Sequence, residues 1–140
     1  MFISENAAHS IVREIKEITG HNINIMDEDG IIFASTDPDR VGQRHPGAWQ
    51  VLKQGLPRLT VQEDDLRPGG VRPGVNLPIQ LEGQTVGVIG ITGPPEEVEA
   101  LGSANKRMTE IMVRAIRRQE QEELLDSARQ CFIENWLFSE

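Results

Sequence analysis

Arg40, Arg44 and His45 fall within six residues of one another in the stretch STDPDRVGQRHPGA, residues 35–48, framed by Ser35 and Thr36, a proline on each side and two glycines. A guanidinium presents a planar fork of donors that matches a carboxylate, and an imidazole adds a donor or acceptor near neutral pH. Gly42 has no side chain to keep an anion away from backbone N–H groups, and a helix opened by Pro46 would add the unpaired N–H groups of its first turn. The loop thus offers groups that suit an anion. Farther along, GVNLPIQL sets Asn76 among apolar residues, where a buried amide requires partners. Each residue also has a structural reading. Arg40 can pair with Asp37 or Asp39 on the surface, His45 can cap the helix at Pro46, and Ser35 can cap the turn that follows it. Arg44 is expected to be solvated, and Gly87 and Gly90 to admit a helix close to the sheet.

Other chemistries lack their residues. There is no nucleophile elbow and no phosphate loop, and His9, His21 and His45 are not spaced as metal ligands. Neither catalysis, a bound metal nor a cofactor is expected. A formal net charge of -8 argues against direct gripping of nucleic acid, where neutralising phosphates supplies most of the affinity. The single cysteine, Cys131, has no intrachain disulfide partner and is expected as a small buried hydrophobe. The N-terminus lacks the layout of a signal peptide and no apolar run is long enough to span a bilayer, so a cytoplasmic location is expected.

Positioning the loop falls to elements legible from periodicity. Ala7, Ala8, Ile11, Val12, Ile15 and Ile18 form a helical stripe that ends at Gly20. From Asn22 the period becomes two: Ile23 and Ile25 face one way, Asn22, Asn24 and Met26 the other, and Asp29-Gly30 turns the chain into a second strand, 31–35. Asp37-Pro38 opens a short turn, and Pro46 a helix through Leu52 that Gly55 stops. Residues 56–70 hold an edge strand and an exposed loop with QEDDL and RPGG. A strong hairpin follows, GVNLPIQL and QTVGVIGITG about Glu82-Gly83. A two-residue turn would set Leu77 against Val88, Ile79 against Val86, Asn76 against Ile89 and Pro78 against Gly87. One face is then an aliphatic wall, and the other, with Gly74, Asn76, Pro78 and Gly87, leaves room for a small polar ligand. After Gly93 a helix of about 35 residues carries Met108, Ile111, Met112, Ala115 and Ile116, then Leu124 to Leu137. The order indicates an α+β domain on an antiparallel sheet of the PAS or Cache kind, flanked by an N-terminal helix and a long C-terminal helix. Residues 1–100 form the sensor core, and 101–140 a helix long enough to pair with a second copy.

The segments NINIMDEDGIIFASTDPDRVGQRHPGA and GVRPGVNLPIQLEGQTVGVIGITGPPE, in this order and at this separation, resemble the sugar diacid recognition domain of the carbohydrate diacid regulators. These are bacterial transcription regulators that respond to glucarate, galactarate or glycerate, and the resemblance covers most of residues 1–138. It implies an N-terminal sensor whose DNA-binding helix-turn-helix region lies far downstream. The chain ends at IENWLFSE without such a region, so DNA contact would come only through a downstream domain. Taken with the residues, it implies a small sugar diacid or hydroxy acid held by Ser35, Arg40, Gly42, His45, Gly74, Val75 and Asn76. The length of the C-terminal helix points to a homodimer built through it, and ligand binding is expected to close the 35–48 loop onto the sheet and shift those helices.

Overall fold

Ser4 opens the first helix, α1 (Glu5–Thr19), by accepting the Ala7 N–H at 3.2 Å, and Gly20 closes it in the left-handed conformation. The computed structural model describes residues 2–62 and 72–138. Ala8, Ile11, Val12 and Ile15 are buried as the periodicity requires, whereas Ile18, the last member of the expected stripe, is 64% exposed. Five antiparallel strands follow: β1 (Asn22–Met26), β2 (Ile32–Ser35), β3 (Leu59–Val61), β4 (Gly74–Leu81) and β5 (Gln84–Thr92), in the spatial order β2-β1-β5-β4-β3. The expected α+β antiparallel architecture is therefore the observed one. In the first turn only Gly30 takes positive φ (76°); Asp27 Oδ1 accepts the N–H groups of Asp29 and Ile31 and holds the rest.

Alternation divides the sheet into two faces. Ile23, Ile25, Val75, Leu77, Ile79, Ile89 and Ile91 join α1 and the long helix α3 (Pro95–Phe138) in one core. On the other face Met26, Ile32 and Val88 pack under Ala48 and Val51 of α2 (Pro46–Gln54). Val75 therefore belongs to the helix-covered core. Its side chain cannot share a ligand with its neighbour Asn76, because adjacent strand residues point to opposite faces.

The second hairpin departs from its expected register. Glu82 and Gly83 make a two-residue turn with φ of 53° and 79°, so Leu81 faces Gln84 and Gln80 faces Thr85 as expected. A bulge at Val86 then moves every later pair by one: Ile79 faces Gly87, Pro78 Val88, Leu77 Ile89 and Asn76 Gly90. Gly87 thus lies on the aliphatic side, where an added Cβ would sit 2.7 Å from the Phe2 ring, and Gly90 is the glycine opposite Asn76.

Beyond Asn76, β4 has no strand partner on its outer side among the described residues, since β3 pairs only with Gly74, Val75 and Asn76. Pro78, which has no N–H to leave unpaired, occupies this edge. Its carbonyl accepts from Lys106 Nζ at 2.6 Å, and the Gln80 N–H donates to Glu110 Oε2 at 2.7 Å. Lys106 and Glu110 pair at 3.1 Å, one helical turn apart on α3, with Glu110 almost fully buried. Side chains of the helix thereby replace the missing strand. Exchanging Glu110 for Gln should keep an acceptor for Gln80 but remove the charge opposite Lys106. The expected loss is about 1–2 kcal/mol in denaturant-midpoint measurements, with the m-value unchanged.

α3 runs 44 residues, longer than expected, and begins at Pro95, upstream of the boundary at 101. Val98, Asn105, Thr109, Glu110 and Val113 are its buried face; Ile111 and Ala115, expected inward, are exposed. Cys131 is exposed rather than buried, because the helix has left the sheet before reaching it. The expectations for residues 63–70, with most of QEDDL and RPGG, lie outside the described residues, while β3 forms the predicted edge strand. No described helix is long and apolar enough to cross a membrane.

Candidate functional site

Cross-strand pairing assembles a polar row on the α2 side of the sheet. Ser35 lies opposite Asn24, Asn24 opposite Gly90, and Gly90 opposite Asn76, so one lateral line crosses β2, β1, β5 and β4. One step along the strands, Pro78, Val88, Met26 and Ile32 form a parallel line that is wholly apolar, and α2 packs there. The sheet face is thus apolar where the helix covers it and polar toward the N-terminus of α2.

Asn76 sits at the centre of this arrangement. It is 4% exposed, and among the described residues its side-chain amide has no hydrogen-bond partner. Two glycines make room for it. A Cβ added at Gly47 would lie 2.8 Å from Asn76 Nδ2, and one at Gly90 would lie 2.8 Å from Asn76 Oδ1. Gly47 belongs to the first turn of α2 and Gly90 to the sheet beneath, so the amide is held between helix and strand. Among the described residues the fully buried unpaired side-chain atoms are Asn105 Nδ2 and Thr109 Oγ1 and not those of Asn76, so the Asn76 amide keeps some access from outside.

His45 borders the same point. Its Cε1 would be 3.1 Å from a Cβ at Gly47, and its Nδ1 accepts the Ala48 N–H at 3.1 Å, which caps α2. The proton of the neutral ring therefore resides on Nε2, which remains a donor. Burial, reinforced by the nearby Arg40 charge, lowers the His45 pKa to about 4, so the ring is neutral at physiological pH. Capping and ligand donation, alternatives in the sequence, use different nitrogens of one ring and coexist.

Arg40 ends the 3-10 turn Pro38–Arg40, which Asp37 caps by accepting the Asp39 N–H. Burial and the charge of Arg72 disfavour the Arg40 guanidinium, and Asp37 opposes them. Asp37 also meets Arg72 at 3.7 Å. Asp37 thus acts on both guanidiniums, and Arg40 lies close enough to His45 to lower its pKa.

The remaining expected residues sit as follows. The Ser35 hydroxyl donates to Asn24 Oδ1 and accepts the Asp37 N–H at 3.0 Å, so it fixes the row and the following turn at once. The Gly42 N–H donates to Ile32 O at 2.7 Å; this glycine serves the turn (φ 91°), and its amide is not open to an anion. Gly74 abuts the β5 backbone at Ile91, where any Cβ would collide. Arg44 is exposed as expected, and its guanidinium stacks on Trp49 at 4.7 Å. Asn24, Gly47, Gly90 and Arg72 were not read as site residues. Asn24 was visible as the polar member of an otherwise apolar strand, and Arg72 stood unread in GVRPG; Gly47 and Gly90 acquire meaning only from what lies above them. A separate cavity of about 350 Å³ opens between α1 and the end of β2, lined by His9, Arg13, Lys16, Asn22, Ser35 and Thr36 among others.

Comparison with known proteins gives a family model described as "Putative sugar diacid recognition", which matches residues 3–136. The chain is 43% identical over 109 residues to the carbohydrate diacid regulator of Escherichia coli K12, covering 76% of this chain and 28% of that protein. It is 33% identical over 137 residues to the uncharacterized protein YsfB of Bacillus subtilis strain 168, covering 98% of this chain and 37% of that one. The chain thus spans roughly a third of the length of these curated relatives. Among solved structures it is similar to the GAF domain of an Acinetobacter phosphoenolpyruvate-protein phosphotransferase, with a TM-score of 0.56 at 11% identity, covering 81% of this chain and 84% of that domain. At that identity the likeness concerns the fold alone.

Proposed function

The chain belongs to the sugar diacid recognition family, and on that footing we propose that it is the ligand-sensing, non-catalytic domain of a transcription regulator. It binds a small sugar diacid or hydroxy acid of the glucarate, galactarate or glycerate type. The observation that carries this reading is the Asn76 amide, which has no side-chain hydrogen bond among the described residues, next to a neutral His45 and the Arg40–Arg72 pair. A sugar diacid has the complementary groups. One carboxylate takes the guanidinium fork, while adjacent hydroxyls take the Asn76 amide and His45 Nε2–H. Ser35 and Asn24 hold the row in place, and Gly90 keeps it low.

Binding reaches the output through β4. Asn76 and the Pro78–Gln80 segment tied to Lys106 and Glu110 lie on the same strand, so displacement at the ligand end is delivered to α3. A ligand shifts this equilibrium only by its differential affinity for the two arrangements. α3 then relays the change, in a homodimer, to a downstream DNA-binding region.

Isothermal titration calorimetry with galactarate, glucarate and glycerate tests the reading, and absence of heat with all three at millimolar concentration would count decisively against it. With the diacid that binds, Arg40→Ala should weaken affinity about 10- to 100-fold through loss of a charge-assisted bond. Arg40→Lys should recover little of it, because an ammonium cannot reproduce the fork.

A further inference from the structure

Apart from Ile133 and Leu137, the large apolar residues of the free half of α3 do not continue the face that packs on the sheet. Val98, Asn105, Thr109 and Val113 line the sheet side of the helix. Continued at 3.6 residues per turn, that side meets Glu120, Glu123, Ser127, Gln130 and Glu134, all polar. Leu124, Leu125, Ala128, Phe132 and Trp136 lie about 120° around the helix. Leu124, Phe132 and Trp136 are 72%, 70% and 72% exposed. From Arg117 to Phe138 this free segment extends about 33 Å. A stripe turned away from its own sheet is built for a different partner.

We propose that the partner is the same stripe of a second copy, joined as a parallel, in-register two-stranded coiled coil. The inference deepens the homodimer reading given above by fixing its surface, orientation and register. Heptad spacing places Arg118, Leu125 and Phe132 at a, and Gln121, Ala128 and Asn135 at d, with Leu124 and Trp136 closing the flanks. Charge selects the parallel arrangement. Arg117 at g then faces Glu122 at e of the other copy, five residues on, and symmetry makes the pair twice. Neither residue has a salt bridge within the chain among the described residues. Aromatic side chains bury roughly 150–250 Å² each. Leu124, Leu125, Phe132 and Trp136 together thus approach the roughly 800 Å² per copy of a stable interface.

The test uses the 140-residue chain in analytical ultracentrifugation, with oxidative cross-linking as a second readout. Arg117→Glu and Glu122→Arg should each weaken self-association about tenfold, and the double exchange should restore it, since opposite charges face again. In a Cys131→Ser background, Leu125→Cys should form a disulfide-linked dimer on mild oxidation. A wild-type chain that stays monomeric, a double exchange no better than either single, or Leu125→Cys that does not cross-link would each overturn the proposal. Calorimetry with galactarate is independent of these readouts, so loss of the seam and loss of the ligand reading remain distinguishable.

Discussion

Replacing Gly90 with valine is expected to weaken diacid binding by at least about 100-fold while leaving the fold intact. An added Cβ would sit 2.8 Å from Asn76 Oδ1 and 3.3 Å from Met26 Cε. Both are ends of side chains that can rotate away, so the sheet absorbs the change, and a β-branched residue suits a strand interior better than glycine does. What moves is the Asn76 amide. The ligand then loses hydrogen bonds worth about 1–3 kcal/mol and meets two extra methyl groups where it must approach the row, which together exceed the 2.7 kcal/mol of a 100-fold loss. Calorimetry supplies the affinity and thermal denaturation the control. A variant with unchanged affinity would remove the polar row from the ligand site, while one that fails to fold would be replaced by Asn76→Leu, which deletes the amide at similar volume.

The second large effect concerns pH. Burial, together with Arg40, holds His45 at about 4, whereas in the unfolded chain it titrates near its ordinary 6.5. Between these values the unfolded state binds a proton that the folded state refuses, so stability rises with pH across this window and is lost as pH falls through it. The contribution is fully present above about 6.5 and amounts to about 3 kcal/mol lost by pH 4. Protonation also removes the Nδ1 acceptor that caps α2. His45→Asn keeps a capping acceptor and has nothing to titrate. Its stability difference between pH 7 and pH 4.5, measured by urea denaturation, should be smaller than that of the wild type by about 2.5 kcal/mol. Equal differences for the two proteins would show that His45 is not held neutral by burial.

Several parts of this molecule were legible because the physics behind them is local. The Gly20 end of α1, the caps of α2, the Glu82-Gly83 turn and the alternation of Ile23 and Ile25 against Asn24 and Met26 each depend on residues a few positions apart. Asn76 stood out for the same reason, as an amide in an apolar strand. Val75 was assigned to the site only by adjacency to Asn76, and alternation places it in the other core. Gly42 was read as an anion contact because a glycine in a cationic loop admits that role; its N–H is occupied by Ile32, a partner fixed by the return of the chain along β2.

Composition and periodicity by themselves determined the class of fold, the order of its elements, a loop rich in groups that favour anions and a helix too long for its own domain. The tertiary structure decided the rest, because each remaining feature is a coincidence in space between residues distant in sequence. A single bulged residue, Val86, exchanged Gly87 for Gly90 opposite Asn76 and so set which glycine keeps the polar row open. The short length of β3 left an edge that Lys106 and Glu110 fill from α3. Packing of α2 over the apolar half of the sheet brought Gly47 and His45 to the amide of Asn76, and the approach of Arg72 gave Arg40 a second charge to contend with. Register, edge and approach are set by long-range packing, which the period of one strand or helix does not encode.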